Sequence, residues 1–333
     1  MTTTYASQQP SGYSNGIQNI AIVGASGTIG KHIVSALLAQ KRFNITAITR
    51  TGSPSTFPND VKVARVDYNN PDTITAALKG HDALIITLSV TAARDTQEKL
   101  VRAAAEASVP WILPNEFGMY NTEEAQNDTI GDHKTKIRNL IESLGLPWVG
   151  VTCGGWYEHS LSSPGFYGID ISKRQVIFID DGTQKLNTST WAHTGRAVAS
   201  LLSLPILPRD ANDTSTTLSS YRNRMAFVSS FTVSQRDMFD SLKRVTHTAD
   251  SDWSVSSVRV EERYREAKEA MKKGDRLAFG IQLYTRYFFP DEGLFEKTHG
   301  LDNERLGLPE EDLDEATEAA VGLEESGYWR KYL

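Results

Sequence analysis

The chain has 333 residues, 39% of them hydrophobic and 23% charged, with a net charge of -6. That balance is typical of a globular protein that buries a core of one large or two modest domains. It excludes several classes: no basic run supports phosphate neutralisation on nucleic acid, one cysteine, Cys153, builds neither a disulfide framework nor by itself a zinc site, and no apolar run approaches the ~20 residues of a membrane span.

The opening "MTTTYASQQPSGYSNG" is polar and has no apolar h-region. It reads as a disordered tail over residues 1–17 rather than a secretory signal, and a cytoplasmic protein is expected. From Asn19 to Val151, short β-rich runs alternate with helical stretches. The strand candidates are "NIAIVG", "NITAITR", "VKVARVD", "DALIITLS", "PWILPNE" and "PWVGVTC". Between them "TIGKHIVSALLAQ", "PDTITAALKG", "RDTQEKLVRAAAEA" and "GDHKTKIRNLIESLG" carry apolar residues at helical spacing. Continuously apolar strands interleaved with helices predict an α/β fold, a Rossmann-type doubly wound parallel sheet covered on both faces, over residues 18–155.

After Cys153 the rhythm breaks down. "GGWYEHSLSSPGFYGID" is rich in Gly, Ser and aromatic residues, and "ILPRDANDTSTTLSS" reads as a surface loop. Helical patterns return in "FTVSQRDMFDSLKRVT", "VEERYREAKEAMKKG" and "DRLAFGIQLYTRYFF", and an acidic stretch ends the chain. Residues 156–333 are expected to form mainly a smaller, less regular C-terminal substrate lobe, with some segments returning to the Rossmann domain.

In "VGASGTIG" the glycines Gly24, Gly27 and Gly30 follow a strand and open a helix. Glycines there let the backbone turn beside a pyrophosphate, while the helix start offers free N–H groups and a positive dipole end. Ser26, Thr28 and Ile29 are expected to present donors, and Gly30 to pack the helix on the strand. The second strand ends in "TRTGSPS", with Arg50, Thr51 and Ser53 and no carboxylate before Asp60. An acidic residue at that place suits the ribose hydroxyl of NAD, whereas a guanidinium matches a 2′-phosphate, so the cofactor expected is NADP(H). Asp67 is placed to meet the adenine edge, and Ser89 and Thr91 to border the cofactor near its middle.

Ordinary short-chain dehydrogenases use a Tyr-x-x-x-Lys pair. Tyr264 and Lys268 match that spacing but lie roughly a hundred residues too late, in a charged helical stretch, and read as a solvated face. At the expected place stands "WILPNEFGMYNTEEAQNDTIGDHKTKIRNLIESLGLPWVGVTC". Its "LPNEFG" resembles the "PSEFG" segment of the isoflavone reductase and pinoresinol-lariciresinol reductase group. "KTKIRNLIESLGLPW" is similar to that group's Lys-x-x-x-Arg helix, and "DGTQKLNTSTWAHTGRAVA" to its later Gly-Asp-Gly and Asp-Ile-Gly region. With "GASGTIG", these segments resemble an atypical short-chain dehydrogenase of the NmrA-like, isoflavone reductase-like family.

The resemblance implies that Lys134 is catalytic, with Arg138 as the motif's arginine and Asn115, Phe117 and Lys134 against the cofactor. A lysine beside a nicotinamide acts as general acid or base, or stabilises a developing oxyanion. His133, beside it, reads as incidental. The sequence departs from the pattern at Asn115, where the family has Ser, at "TCGGWYEH", and at His193 in place of the later Asp. Cys153 has no evident base to make it a thiolate and reads as a core residue. Trp156, Tyr157, Phe166, Tyr284 and Phe288 are expected in the substrate site, although core packing alone also explains such clusters; lining a pocket, they suit a bulky, flat, largely apolar small molecule.

These readings converge on an NADPH-dependent reductase acting on an aromatic or polycyclic intermediate of secondary metabolism (an enone, imine, quinone methide or carbonyl), either as net reduction or as reduction that triggers rearrangement or cyclisation. The alternative is an NmrA-type regulator that senses NAD(P) and binds a protein partner without turnover. Lys134 in register favours the enzyme. No nucleic acid, membrane or metal is expected to take part.

Overall fold

In the computed structural model, residues 4–331 are described except 90, 91, 94, 121–124, 127, 128 and 130. Thr91, expected beside the cofactor, lies outside the described residues. The six strand candidates form β1 (Asn19–Val23), β2 (Asn44–Arg50), β3 (Val61–Val66), β4 (Ala83–Ile86), β5 (Trp111–Leu113) and β6 (Val149–Thr152). Five hydrogen-bond in the order β3-β2-β1-β4-β5, every pair parallel. β6 continues the sheet through parallel bridges from Ile112 to Trp148 and from Gly118 to Thr152.

All four residues of β4 and of β6 are buried, as strands covered on both faces must be. The helices α1 (Gly30–Ala39), α2 (Pro71–Leu78), α3 (Thr96–Glu106) and α4 (His133–Ser143) supply the cover. Ile74, Leu78, Leu100, Ile137 and Ile141 of α2, α3 and α4 enclose one face. On the other face, Ile33, Val34 and Leu37 of α1 meet Ala197, Val198 and Leu201 from a helix far downstream.

The second half contains β7 (Gly155–Trp156), β8 (Ile169–Asp170), β9 (Gln175–Ile179), β10 (Leu186–Ser189), β11 (Arg224–Phe227), β12 (Phe231–Val233) and β13 (Ser254–Val258). Its helices are α5 (Tyr157–Leu161), α6 (Trp191–Ser203), α7 (Gln235–Thr246), α8 (Val260–Lys272), α9 (Arg276–Thr285), α10 (Phe295–His299) and α11 (Leu313–Glu325). Two elements return to the sheet domain: β11 pairs in parallel with β6, and α6 packs along α1. Gly195 makes that packing close, because a Cβ there would strike the His32 carbonyl. The remaining elements enclose a separate core of aromatic and aliphatic side chains, including Tyr157, Tyr167, Phe178, Phe239 and Trp253.

Residues 4–17 differ from the disordered tail that their composition suggests. Ala6 and Ser7 donate their N–H groups to the carbonyls of Pro208 and Arg209 at 2.9 and 3.1 Å. The Asn15 side chain donates to Leu207 O and accepts from Leu207 N, each at 2.8 Å, and Ile17 is fully buried. A polar segment is held here by satisfying the backbone of the 205–209 loop, a contact with no local sequence pattern.

Candidate active site

The carboxyl ends of β1 and β4 are where the strand order reverses direction, the place at which open α/β sheets bind their ligands. Gly24 has φ +77°, and a Cβ there would collide with the Thr87 carbonyl on the neighbouring loop. A Cβ on Gly30 would meet the Gly24 carbonyl, which also accepts the Gly27 N–H at 2.8 Å. Gly24 and Gly30 thus form a glycine cradle in which backbone packs on backbone and no side chain fits. α1 starts directly from it with no side chain capping its first N–H groups.

Arg50 ends β2 exposed, close enough for its charge to act on the Tyr68 hydroxyl. After it the chain folds back towards the cradle: Ser26 Oγ donates to Ser55 Oγ at 2.9 Å, and Ser53 Oγ to Ser55 Oγ at 3.1 Å. Arg65 donates to Ser53 O at 3.1 Å and so fixes this loop from β3. A guanidinium at the end of β2 and three linked hydroxyls on the loops around the glycine turn are groups that suit the 2′-phosphate and diphosphate of NADP(H). Thr51 differs in role, since its N–H and hydroxyl both bond Val66 O, at 3.0 and 3.3 Å. Asp67 is exposed and caps its own turn by accepting from Asn69 N at 2.9 Å, and Ser89 lies exposed beyond β4.

The segment after β5 carries Asn115, Glu116 and Phe117. Asn115 donates from Nδ2 to Leu88 O at 3.0 Å, and its N–H bonds Gln97 Oε1 at 2.8 Å. It therefore ties the loops after β4 and β5 together. Phe117 is 6% exposed and belongs to the core under the sheet, not to an open cofactor face.

Between them sits Glu116, a buried carboxylate. Its Oε2 lies 3.1 Å from Lys134 Nζ, and its Oε1 accepts from Arg138 Nη1 at 2.6 Å. Arg138 also donates to Thr135 Oγ1 at 2.9 Å. Lys134 and Arg138 are four residues apart on α4 and share a face, so a single acidic group holds both. Glu116 stood inside "LPNEFG" and was not singled out; its signal was a lone acid between apolar Pro114 and Phe117 in a segment followed by a Lys-x-x-x-Arg helix.

Cys153 is fully buried, touches Thr194 and Trp156, and feels the charge of Lys134. Burial pushes its thiol up to about 11, which makes it the core residue expected and no nucleophile.

The expected substrate aromatics separate. Tyr157 and Phe288 are 0% and 2% exposed, so they are packing residues of the lobe core and have no wall to offer a ligand. Phe166 stacks on Tyr284 with centroids 4.5 Å apart, and Tyr284 OH bonds Ser160 Oγ at 2.7 Å. Trp156 stays half-buried and meets His159, whose ring also lies against Phe166, Trp191, Tyr328 and Trp329. Four separate stretches of chain thus converge on His159, and neither it nor the C-terminal pair was visible as a site in the sequence. Beneath them, Glu158 accepts the Trp191 N–H at 3.1 Å, and burial raises its carboxyl to about 7.

The NmrA-like family matches residues 17–186. The chain belongs to that family. It is 31% identical over 308 residues to Oxidoreductase aprR of Aspergillus flavus, covering 89% of this chain and 96% of the relative. Among solved structures, an isoflavone reductase superposes with a TM-score of 0.70 at 18% identity, covering 90% of this chain and 98% of that one. The complex of leucoanthocyanidin reductase with NADPH from Vitis vinifera superposes with a TM-score of 0.67 at 15% identity, covering 91% and 99%.

Two further features of this NmrA-like chain answer the sequence reading. Tyr264 is not a solvated residue: its hydroxyl accepts from Gln282 Nε2 at 3.1 Å and its ring meets Phe289, so the Tyr-x-x-x-Lys spacing serves the α8–α9 contact. His193, in place of the family's Asp, is fully buried, with Nδ1 3.7 Å from Glu311 Oε2. Glu311 also accepts from Thr190 and Ser230 and pairs with Arg196, which pins the segment before α11 to the start of α6. Among the described residues no helix is long and apolar enough to cross a membrane, and no cluster of acidic, His or Cys side chains could hold a metal ion.

Proposed function

We propose that this protein is an NADPH-dependent reductase that delivers hydride to a bulky aromatic or polycyclic small molecule, an intermediate of secondary metabolism. The observation that carries the reading is the Glu116–Lys134–Arg138 arrangement beyond β5, at the carboxyl edge of the sheet. A relative named an oxidoreductase across nearly its whole length supports it. NADPH, when bound, supplies the hydride.

Gly24, Gly27 and Gly30 hold the diphosphate, and Arg50 with Ser26, Ser53 and Ser55 holds the 2′-phosphate. Lys134 presents an ammonium toward the reacting end. As hydride reaches the electrophilic carbon of a carbonyl, enone, imine or quinone methide, negative charge gathers on the heteroatom. Lys134 stabilises that charge and hands over a proton, which solvent then replaces. Glu116 fixes where the ammonium sits, and Arg138 supplies a second cation so that the carboxylate is not spent on Lys134 alone. Trp156 and the His159 ring give a flat acceptor an aromatic wall.

The test follows NADPH oxidation over a panel of aromatic enones, cyclic imines, quinones and polycyclic ketones. Lys134→Ala is expected to lower turnover by about 10²–10⁴-fold while NADPH affinity stays within about twofold. Glu116→Gln is expected to lower kcat as well, by a smaller factor, because the ammonium survives but loses its anchor. Tight NADPH binding without turnover across the panel would favour the regulator that senses NAD(P) and binds a protein partner.

A further inference from the structure

The first turn of α1 carries a feature that the glycine cradle does not explain. Lys31 stands at the N-terminal end of the helix, where a cation opposes the helix dipole. Its Nζ lies 5.7 Å from the centre of the Trp191 ring, and His32 stacks on the same ring with centroids 5.4 Å apart. Trp191 opens α6, so its indole lies across the first turn of α1. The residue is 7% exposed, and its Nε1–H is buried with no hydrogen-bond partner among the described residues. The same holds for His32 Nε2. Burial, with help from the Lys31 charge, pushes the His32 ring down to about 4, so the imidazole is neutral and one of its nitrogens is a donor.

Buried donors without an acceptor are rare in folded proteins and call for an explanation. Here the Trp191 indole N–H flanks a cation and the uncapped start of a ten-residue helix, with the unpartnered His32 Nε2 beside it. The chemistry that satisfies all of these together is an anionic oxygen.

We infer that the indole N–H of Trp191, together with the His32 ring, binds a diphosphate oxygen of the dinucleotide, so that α6 completes the phosphate site from the flank of α1. The inference rests on the NADP(H) reading of the cradle. It adds a ligand from outside the 18–155 segment, at a position where the sequence showed only a tryptophan ahead of "AHTG". It also gives a reason for the close packing of α6 on α1 at Gly195.

Calorimetric titration of the full chain tests this, with NADPH and, separately, with adenosine 2′-monophosphate, which has the 2′-phosphate but no diphosphate. Trp191→Phe and His32→Phe keep a stacked ring and delete the donor. NADPH affinity is expected to fall roughly tenfold in Trp191→Phe and less in His32→Phe, while the monophosphate binds each variant as it binds wild type. Unchanged NADPH affinity in both variants overturns the inference. Parallel weakening of both ligands also overturns it, since that would reveal a structural role for the ring. Wild-type protein that bound the monophosphate but not NADPH would overturn the dinucleotide reading beneath it.

Discussion

Around the glycine cradle the groups that matter are backbone: a positive φ at Gly24, a carbonyl packed where a Cβ would be, and the uncapped N–H groups of α1. In the C-terminal lobe they are side chains brought from distant parts of the chain, such as Tyr157 with Thr317 at 2.8 Å and Tyr284 with Ser160 at 2.7 Å. The first region has no slack, because a carbonyl cannot rotate out of the way. The second tolerates exchange at each ring so long as its volume and its few polar contacts are kept.

The largest effect is expected where backbone meets backbone. Gly24→Val would place a β-branched side chain at φ +77° and against the Thr87 carbonyl. A loss of about 3 kcal/mol or more is expected, together with loss of NADPH binding, because neither strand loop can give way without breaking the sheet. Denaturant unfolding and NADPH titration check both parts. A variant that folded and bound normally would mean that the cradle is as forgiving as the lobe, and the contrast would fail.

The same difference decided what could be read from the sequence. The six apolar runs are local patterns, and each became a strand because strand, turn and helix start obey short-range rules; the glycine turn and the end of β2 at Arg50 follow from the same local signals. Resemblance alone singles out Lys134, and its partner Glu116 escapes the sequence, since nothing local says that an acid eighteen residues upstream will face it. In the lobe the aromatic composition was plain but the partition was not: Tyr157 and Phe288 became core, while His159, Trp191, Tyr328 and Trp329 gathered instead. Those contacts span up to 170 residues, from His159 to Trp329, and tertiary packing alone selects them.

A smaller effect separates burial from pairing within the lobe. Glu158 accepts the Trp191 N–H and has no cation paired with it among the described contacts, and burial lifts its carboxyl from 4.5 to about 7. The folded chain therefore holds this proton more tightly than the unfolded chain does. Between about pH 4.5 and pH 7 the unfolded state releases it first, so this residue's contribution to stability falls as pH rises. Glu158→Gln keeps an acceptor for the Trp191 N–H and removes the titration. The variant is expected to be more stable than wild type at pH 7.5, by on the order of 1–3 kcal/mol, with the gap closing by pH 4.5. Unfolding curves at the two pH values measure it. A gap of the same size at both would mean that Glu158 acts through packing and not through its charge.

The smallest effect should come from a single hydroxyl. Tyr284→Phe keeps the stack on Phe166 and loses the bond to Ser160 Oγ. Ser160 is not left stranded, because its hydroxyl also donates to Trp156 O at 2.6 Å. The usual penalty for an unsatisfied buried partner therefore does not arise, and the cost is expected near the low end for a buried hydrogen bond, about 0.5–1 kcal/mol, with NADPH affinity unchanged. Thermal unfolding with cofactor titration reads both quantities. A loss above about 3 kcal/mol would show that the hydroxyl is as rigidly required as the Gly24 backbone. Weakened NADPH binding would show that the ring under Gly155, where Tyr284 makes contact, transmits its position to the cofactor end, joining the two regions into one mechanical unit.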